Sequence, residues 1–561
     1  VLAAYVVPPL AFVAISLSVA WPIIAHLGHR VPGGADGVLF SWYFEWIAQS
    51  VIHGHNPFVS DALNAPAGVN VMWNTAMLVL ALVCVPLTLS IGAFTTVSLA
   101  MVLGPAVSGA SAYWVLRRLT GRTLGSAIGA AVYAYGPFMI GHAGHLNLLF
   151  APVPPLLVLL GHRLVISQRG SPIRLGVLLG VVVGVQLLLS EELLALCVIA
   201  GVVAVVWLAV LNPHEVRPRA RYALIGSGVA SAAAVLIVAV PLGYQFFGPD
   251  SFKKFLPEKG RADLASLVRP SLLQYYSSRA DVRANLHFPA NGAENTGYLG
   301  WPLIIAAIAI SAWYIWRRER FAIWWLLTAL SLVVLMLGSP IDVNGRSIVR
   351  GPWALIRRLP LLGGVIPARF SLLILLLVAG LIAWTLARLR GPLLLVGAAI
   401  AVALLIPLRP VVPIRGSLLP STPRFFMTSA VNVIPRGAVT AVLPQAGYPH
   451  NAAMVWQIRA HLRFALVGGY SVFSVHGHAT YFPDLPLFVM ALRDVGSAEP
   501  TAEPLAALRA SAVSSGVSYI VITDRQPNMR SVTAAAAAIT GCKPRQVADV
   551  LVCQIGTQSA R

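Results

Sequence analysis

Apolar windows of about 20 residues recur along this chain, at about 5–26, 95–116, 122–141, 146–165, 174–190, 192–211, 222–245, 299–316, 320–338, 370–387 and 391–408. Each is long enough to cross the hydrocarbon core of a bilayer as a helix. Inside that core every backbone amide must be satisfied within its own segment, so a repeated window of this kind leaves the helix as the spanning element. Composition agrees: 58% of the residues are hydrophobic and 11% charged, against about a quarter charged in a water-soluble domain. The expected fold is a polytopic α-helical membrane protein of about 11 transmembrane helices.

Charge sets the topology. The short loops on one side carry Arg117, Arg118 and Arg122; Arg163, Arg169 and Arg174; Arg217, Arg219 and Arg221; Arg317, Arg318 and Arg320; Arg388 and Arg390, with Glu215 and Glu319 as their only acids. This is the positive-inside pattern, and it puts those loops and the N-terminus in the cytoplasm and the C-terminus outside. The run Met77–Ile91 is short and contains Pro86. Were it to cross, every basic packet would change sides relative to the first helix, so it reads as a segment of the first loop. The net charge of +21 is dealt out between spans rather than clustered on a soluble domain, which sets nucleic acid aside. No internal repeat of the transporter kind is visible.

Two blocks follow: a transmembrane domain over 1–408, with outer loops 27–94 and 246–298, and an extracytoplasmic soluble domain over 409–561. In the second block Ala438–Leu443, Phe464–Val472, Ser518–Thr523 and Val550–Ile555 read as strands and 501–512 and 531–539 as helices, a small α/β or α+β domain. Cys542 and Cys553 flank a short strand-like piece near the C-terminus, and they can form a disulfide if the tail lies outside the cytosol.

Ionisable groups near membrane depth are read first for function. Asp36 follows Gly33-Gly34, which let the backbone turn tightly and approach a ligand; a solvated loop acid is the plain alternative. Trp42, Tyr43 and Trp46 in the following helix read as membrane-interface anchors before sugar-stacking platforms. His142 and His145, with Asn147, form the next outer turn, fit either to hydrogen-bond a substrate or to cap helices. Glu191 and Glu192 mark an outward hairpin, and adjacent residues do not share a helix face. Arg369, at the mouth of a span, offers a fork for a phosphate. Lys253, Lys254, Lys259 and Arg261, and Arg346, Arg350, Arg357 and Arg358, are further cations. Asn295 and Tyr298 lie in the turn-rich Asn291–Gly300 segment, polar enough to line a sugar pocket, though a plain loop entering a helix reads equally well.

The acid soon after the first helix (Asp36), the surface helices before the second span, and the run from Ile91-Gly92 to Arg117-Arg118-Leu119-Thr120-Gly121 together resemble the GT-C superfamily of membrane glycosyltransferases. That superfamily includes protein O-mannosyltransferases, oligosaccharyltransferase catalytic subunits, lipid A aminoarabinose transferases, and actinobacterial arabinofuranosyl- and mannosyltransferases. The resemblance covers about 5–410 as architecture, and Pro367-Ala368-Arg369-Phe370 and Gly297-Tyr298-Leu299-Gly300 look like a bacterial branch. It implies a multi-pass protein of the bacterial plasma membrane that moves a sugar from a polyprenyl-phosphate donor to a glycan, glycolipid or protein acceptor on the outer face. Asp36 would be the general base and His142, His145, Asn147, Glu191, Glu192, Asn295, Tyr298 and Arg369 the substrate contacts. Membrane lipids are its other partners. Many members carry further acids where this chain has His142, His145 and Asn147, so no metal ligand is assigned, and a divalent cation stays open as a cofactor. The rival readings are a flippase or transporter for lipid-linked sugars, using the same cations and aromatics, and a non-catalytic cell-envelope scaffold.

Overall fold

In the computed structural model, which describes residues 3–253, 256, 260–499 and 503–555, helices occupy all the apolar windows. Among the described residues seven helices are long and apolar enough to cross a membrane: Ala93–Thr120, Thr123–Gly141, Leu146–Ser167, Pro172–Leu189, Glu191–Leu211, Pro213–Phe247 and Pro367–Ala387. The shorter apolar helices Ala3–Val19, Trp301–Trp316, Arg320–Met336 and Pro392–Leu408 fill the remaining windows. Met77–Ile91 yields only two short helices, Leu78–Val83 and Val85–Ile91. Lys254 and Lys259 lie outside the described residues.

One compact unit comprises Val1–Ala25, Leu99–Ala239 and Pro257–Arg415. Its helices approach closely where glycine replaces a side chain, as expected where burial of apolar surface does not drive helix association. A Cβ at Gly129 would sit 2.4 Å from the Ala379 carbonyl oxygen, and one at Gly180 2.5 Å from that of Ala230. The polar loops of this unit are stitched by acids. Asp263 accepts from the amides of Ala265, Asn344 and Gly345 at 2.8, 2.9 and 2.7 Å, and Asp342 accepts from Arg261 at 2.5 Å.

The second unit comprises His26–Ser98, Val240–Leu256 and Gly416–Arg561. The tail is therefore not a block of its own from 409: it shares a compact unit with the first loop. Its sheet runs in the order Arg545–Val547, Val550–Gln554, Tyr519–Thr523, Val439–Leu443, Ala465–Leu466. The last three strands are parallel and the first two antiparallel. Phe488, Leu492, Val532 and Ala536 pack against Leu443, Ile520 and Ile522 to form the core. Cys542 and Cys553 are disulfide-bonded, with Cα atoms 5.7 Å apart. The helices Ala452–Arg459 and Leu487–Gly496 are additions to the expected elements. The strand expected over Phe464–Val472 keeps only Ala465–Leu466, because Gly468 and Gly469 take φ of +69° and +134° and turn the chain out of the sheet.

The first loop completes this sheet. Leu466 N donates to Ala62 O, Ala65 N to Leu466 O and Asn64 N to Gly468 O, each at 2.9 Å, so residues 62–65 lie along the edge strand. Edge groups that would otherwise need water are satisfied there. Gln457 locks the join: its Nε2 donates to Ala62 O at 2.6 Å and Phe464 O at 2.8 Å, while its Oε1 accepts from Trp42 Nε1 at 2.8 Å. The helix Ala35–His53 that carries Trp42 is buried here. Trp42, Tyr43 and Trp46 are 0%, 1% and 6% exposed, so they are core side chains, and the interface-anchor expectation is corrected. Trp42 and Trp46 stack at 6.0 Å.

Glu45, buried on the same helix, accepts from Gln49 Nε2 at 2.8 Å and meets exposed His461 Nδ1 at 3.0 Å. That hydrogen bond, against partial burial, raises the imidazole above its ordinary value. A raised histidine contributes stability that is fully present below the unfolded value and lost as pH climbs through the folded one. Thermal unfolding temperature is therefore expected to fall as pH rises from about 6 to about 8. His461→Gln flattens that slope, by less than about 1 kcal/mol because the ring is screened by solvent; an unchanged slope in a thermal-shift series would count against the pair.

Candidate active site

Gly33 and Gly34 adopt φ of +80° and +57°, conformations that a side chain rarely tolerates, and so turn the chain directly into the helix Ala35–His53. This places Asp36 in the first helical turn, half-buried. A carboxylate is stabilised there by the exposed amides of the helix start. The Tyr470 hydroxyl donates to Asp36 Oδ1 at 2.7 Å. Burial first, and then the charge of Asp36 and the hydrogen bond to it, hold the Tyr470 hydroxyl far above the usual tyrosine range. Tyr470 is thus a neutral donor at any working pH.

Tyr470 is positioned from the sheet. The turn Gly468–Gly469 after the edge strand carries it, and a Cβ at Gly469 would lie 2.5 Å from Leu63 Cδ1, so the first loop presses directly on the turn. The next residue, Ser471, bonds Tyr43 Oη at 2.8 Å and donates to Asn74 Oδ1 at 2.9 Å. Asn74 also accepts from Val472 N at 2.8 Å and donates to Val472 O at 3.1 Å. Helix, loop and sheet thus hold both partners of the Asp36–Tyr470 bond. Tyr448 and Tyr481 flank Tyr470, with ring centroids 5.3 and 6.0 Å away.

The other unit gathers a different set. Arg369 donates to Glu294 at 3.0 Å through Nε and 2.6 Å through Nη2, and to Glu192 through Nη1. Glu192 Oε1 accepts from Ile366 N at 2.7 Å, and His142 Nε2 stands 3.3 Å from Glu294 Oε2. Burial alone would raise the Glu294 carboxyl, yet Arg369 and His142 outweigh it and hold the group below the usual carboxylate range. Burial lowers the His142 imidazole against the pull of Glu294, and its Nδ1 stands 2.9 Å from the Phe138 carbonyl oxygen. Arg369 is therefore not an open cation waiting for a phosphate; two carboxylates already compensate its charge. Of the further arginines, Arg346, Arg350, Arg357 and Arg358 are exposed.

The His145 ring lies 5.4 Å from that of His142. Asn147, Asn295 and Tyr298 are buried at 9%, 3% and 7% exposure, Asn295 donating to Ala290 O at 3.1 Å. Glu191 is exposed. Two residues central to these sites, Tyr470 and Glu294, were not among the sequence candidates. A second Gly-Gly step directly before an aromatic, Gly468-Gly469-Tyr470, repeats the signal that picked out Asp36 and was hidden inside an expected strand. Among the described residues no three His, Cys, Asp or Glu side chains gather as a metal site requires. Asp36 is bonded by Tyr470, and Glu192 and Glu294 by Arg369.

A sequence-family model described as "Domain of unknown function (DUF6311)" matches residues 48–408. The chain belongs to that family. No curated protein matches this DUF6311 member in sequence. Among solved structures, the arabinofuranosyltransferase AftD from Mycobacteria is similar at a TM-score of 0.55 and 16% identity over 98% of this chain and 40% of that one. The chain thus spans well under half of AftD. ArnT from Cupriavidus metallidurans matches at TM-score 0.46 and 12% identity over 98% of both chains. The Archaeoglobus fulgidus oligosaccharyltransferase in its apo form matches at TM-score 0.45 and 13% identity over 92% of this chain and 69% of that one. All three are membrane glycosyltransferases of GT-C type, and the likeness to AftD shows that this DUF6311 chain has the GT-C fold.

Replacing Arg369 by Gln would leave buried Glu294 and half-buried Glu192 without a cation. Breaking a buried pair in this way costs about 3–5 kcal/mol. Arg369→Gln is expected to lower the unfolding temperature markedly in detergent, with Arg369→Lys intermediate; wild-type stability in both would show that the network is solvated.

Proposed function

We propose that this chain is an integral membrane glycosyltransferase of GT-C type. It moves a sugar from a polyprenyl-phosphate donor to a cell-envelope glycan, glycolipid or protein on the outer face of the bacterial plasma membrane. The single observation that carries the reading is Asp36: in a GT-C fold, a half-buried carboxylate stands on a glycine turn at a helix N-terminus and is oriented by a tyrosine hydroxyl. An acceptor hydroxyl attacks the anomeric carbon, the bond from that carbon to the phosphate oxygen breaks, and polyprenyl phosphate leaves with the electron pair. Asp36 takes the hydroxyl proton. One displacement inverts the anomeric centre. A positioned general base contributes about 10²–10⁴-fold.

The hydrogen bond from Tyr470 fixes the direction of the base, so the carboxylate is held in place rather than free to rotate. The charges that a transporter reading would call on are paired: half-buried Glu192, at a helix start, and buried Glu294, in a loop, both bond Arg369.

The test is transfer of radiolabelled sugar from polyprenyl-phosphate arabinose and polyprenyl-phosphate mannose by the purified full-length protein. Asp36→Asn is expected to lower transfer by about 10²–10⁴-fold while donor binding stays nearly intact; near-normal turnover would remove the proposal. Tyr470→Phe deletes one hydrogen bond to a charged group, worth about 1.5–3 kcal/mol. It should lower kcat/KM by roughly tenfold or more with little change in unfolding temperature, whereas a purely structural tyrosine would lower the unfolding temperature and unchanged turnover would remove Tyr470 from the site.

A further inference from the structure

The sheet of the second unit has the strand order Ala465–Leu466, Val439–Leu443, Tyr519–Thr523 in its parallel part. The chain leaves the central strand first to one side and then to the other. In open sheets of this kind ligands sit beyond the carboxyl ends of the strands where the order reverses. Here the segments that leave two of those carboxyl ends carry tyrosines. Tyr448 follows Val439–Leu443, and Tyr470 follows Ala465–Leu466. Tyr481 comes from the segment just after the hairpin Phe473–Val475 and His478–Thr480.

The rings line up, Tyr448 to Tyr470 at 5.3 Å and Tyr470 to Tyr481 at 6.0 Å, tilted by 40° and 32°. The middle ring is 8% exposed and holds Asp36, but the outer two are 57% and 41% exposed. Burial of apolar surface does not explain two exposed tyrosine rings on either side of the residue that bonds Asp36. A tyrosine presents an apolar face and a polar edge together, which matches a sugar ring, with its C–H faces and hydroxyl rim.

We propose that Tyr448, Tyr470 and Tyr481 form an acceptor subsite that takes the terminal residue of a glycan and delivers one of its hydroxyls to Asp36. This deepens the glycosyltransferase reading and rests on it for the role of Asp36. Tyr470 is the positioning residue of the subsite, and Tyr448 and Tyr481 are its stacking faces. On this proposal the soluble part of the chain chooses the acceptor.

The experiment uses the full-length protein in lipid nanodiscs and two soluble probes, methyl triarabinofuranoside and methyl trimannoside, with binding read by saturation-transfer NMR and titration. At least one probe is expected to bind. Tyr448→Ala and Tyr481→Ala should each weaken it by about tenfold, the scale of one aromatic contact, and Tyr448→Phe should restore most of the loss. Wild-type affinity in both alanine variants, or no binding of either probe to the wild-type protein, overturns the subsite. Asp36→Asn separates the two readings. If it abolishes transfer while the tyrosine variants bind normally, only the subsite falls. If it transfers normally while the tyrosine variants lose binding, the subsite stands and the general-base reading falls.

Discussion

The candidate site depends on a pairing between residues some four hundred positions apart. The backbone of Ala62, Asn64 and Ala65 hydrogen-bonds along the edge strand at Leu466 and the turn at Gly468. A bare edge strand is a row of unpaired amides and carbonyls. Closing it with the first loop satisfies those groups, and the same act fixes where the turn after the strand can go. Because Leu63 presses on Gly469, the turn has one course, and Tyr470 emerges beside Asp36. Weakening the edge pairing would leave the carboxylate in place on its helix but without its donor.

The same constraint explains why the helix Ala35–His53 is so apolar. A helix that merely lay on a membrane would bury one stripe. This one is sandwiched, with Trp42 bonded to Gln457, Tyr43 to Ser471 and Glu45 to His461. The polar tips of these three side chains are paired, which is what a buried tryptophan, tyrosine or carboxylate requires. The helix works as a strut that transmits the position of the sheet to Asp36 at its N-terminus.

Buried charge is handled differently in the other unit. Glu192, Glu294, Arg369 and His142 form a closed set in which each group answers another. Such sets contribute little net stability compared with apolar packing, yet they are costly to break. Arg369 thus reads as the keystone of a polar network at helix ends. The guanidinium at the mouth of a span was legible in the chain, but its two carboxylate partners come from segments 75 and 177 residues away.

Hydrophobic runs were enough to establish the helices, because each depends on a stretch of about 20 residues and on nothing beyond it. The glycine turn before Asp36 was legible for the same reason: backbone freedom is local. Strand candidates at Ala438–Leu443, Ser518–Thr523 and Val550–Ile555 held because β-branched runs mark buried strands. What only the tertiary structure decided was partnership. Whether Trp42 faces lipid or protein, whether Arg369 is open or paired, and which residue orients Asp36 are all set by contacts between segments hundreds of residues apart. No window of sequence contains that information, since a hydrogen bond depends on where its donor arrives in space and not on the residues beside it in the chain.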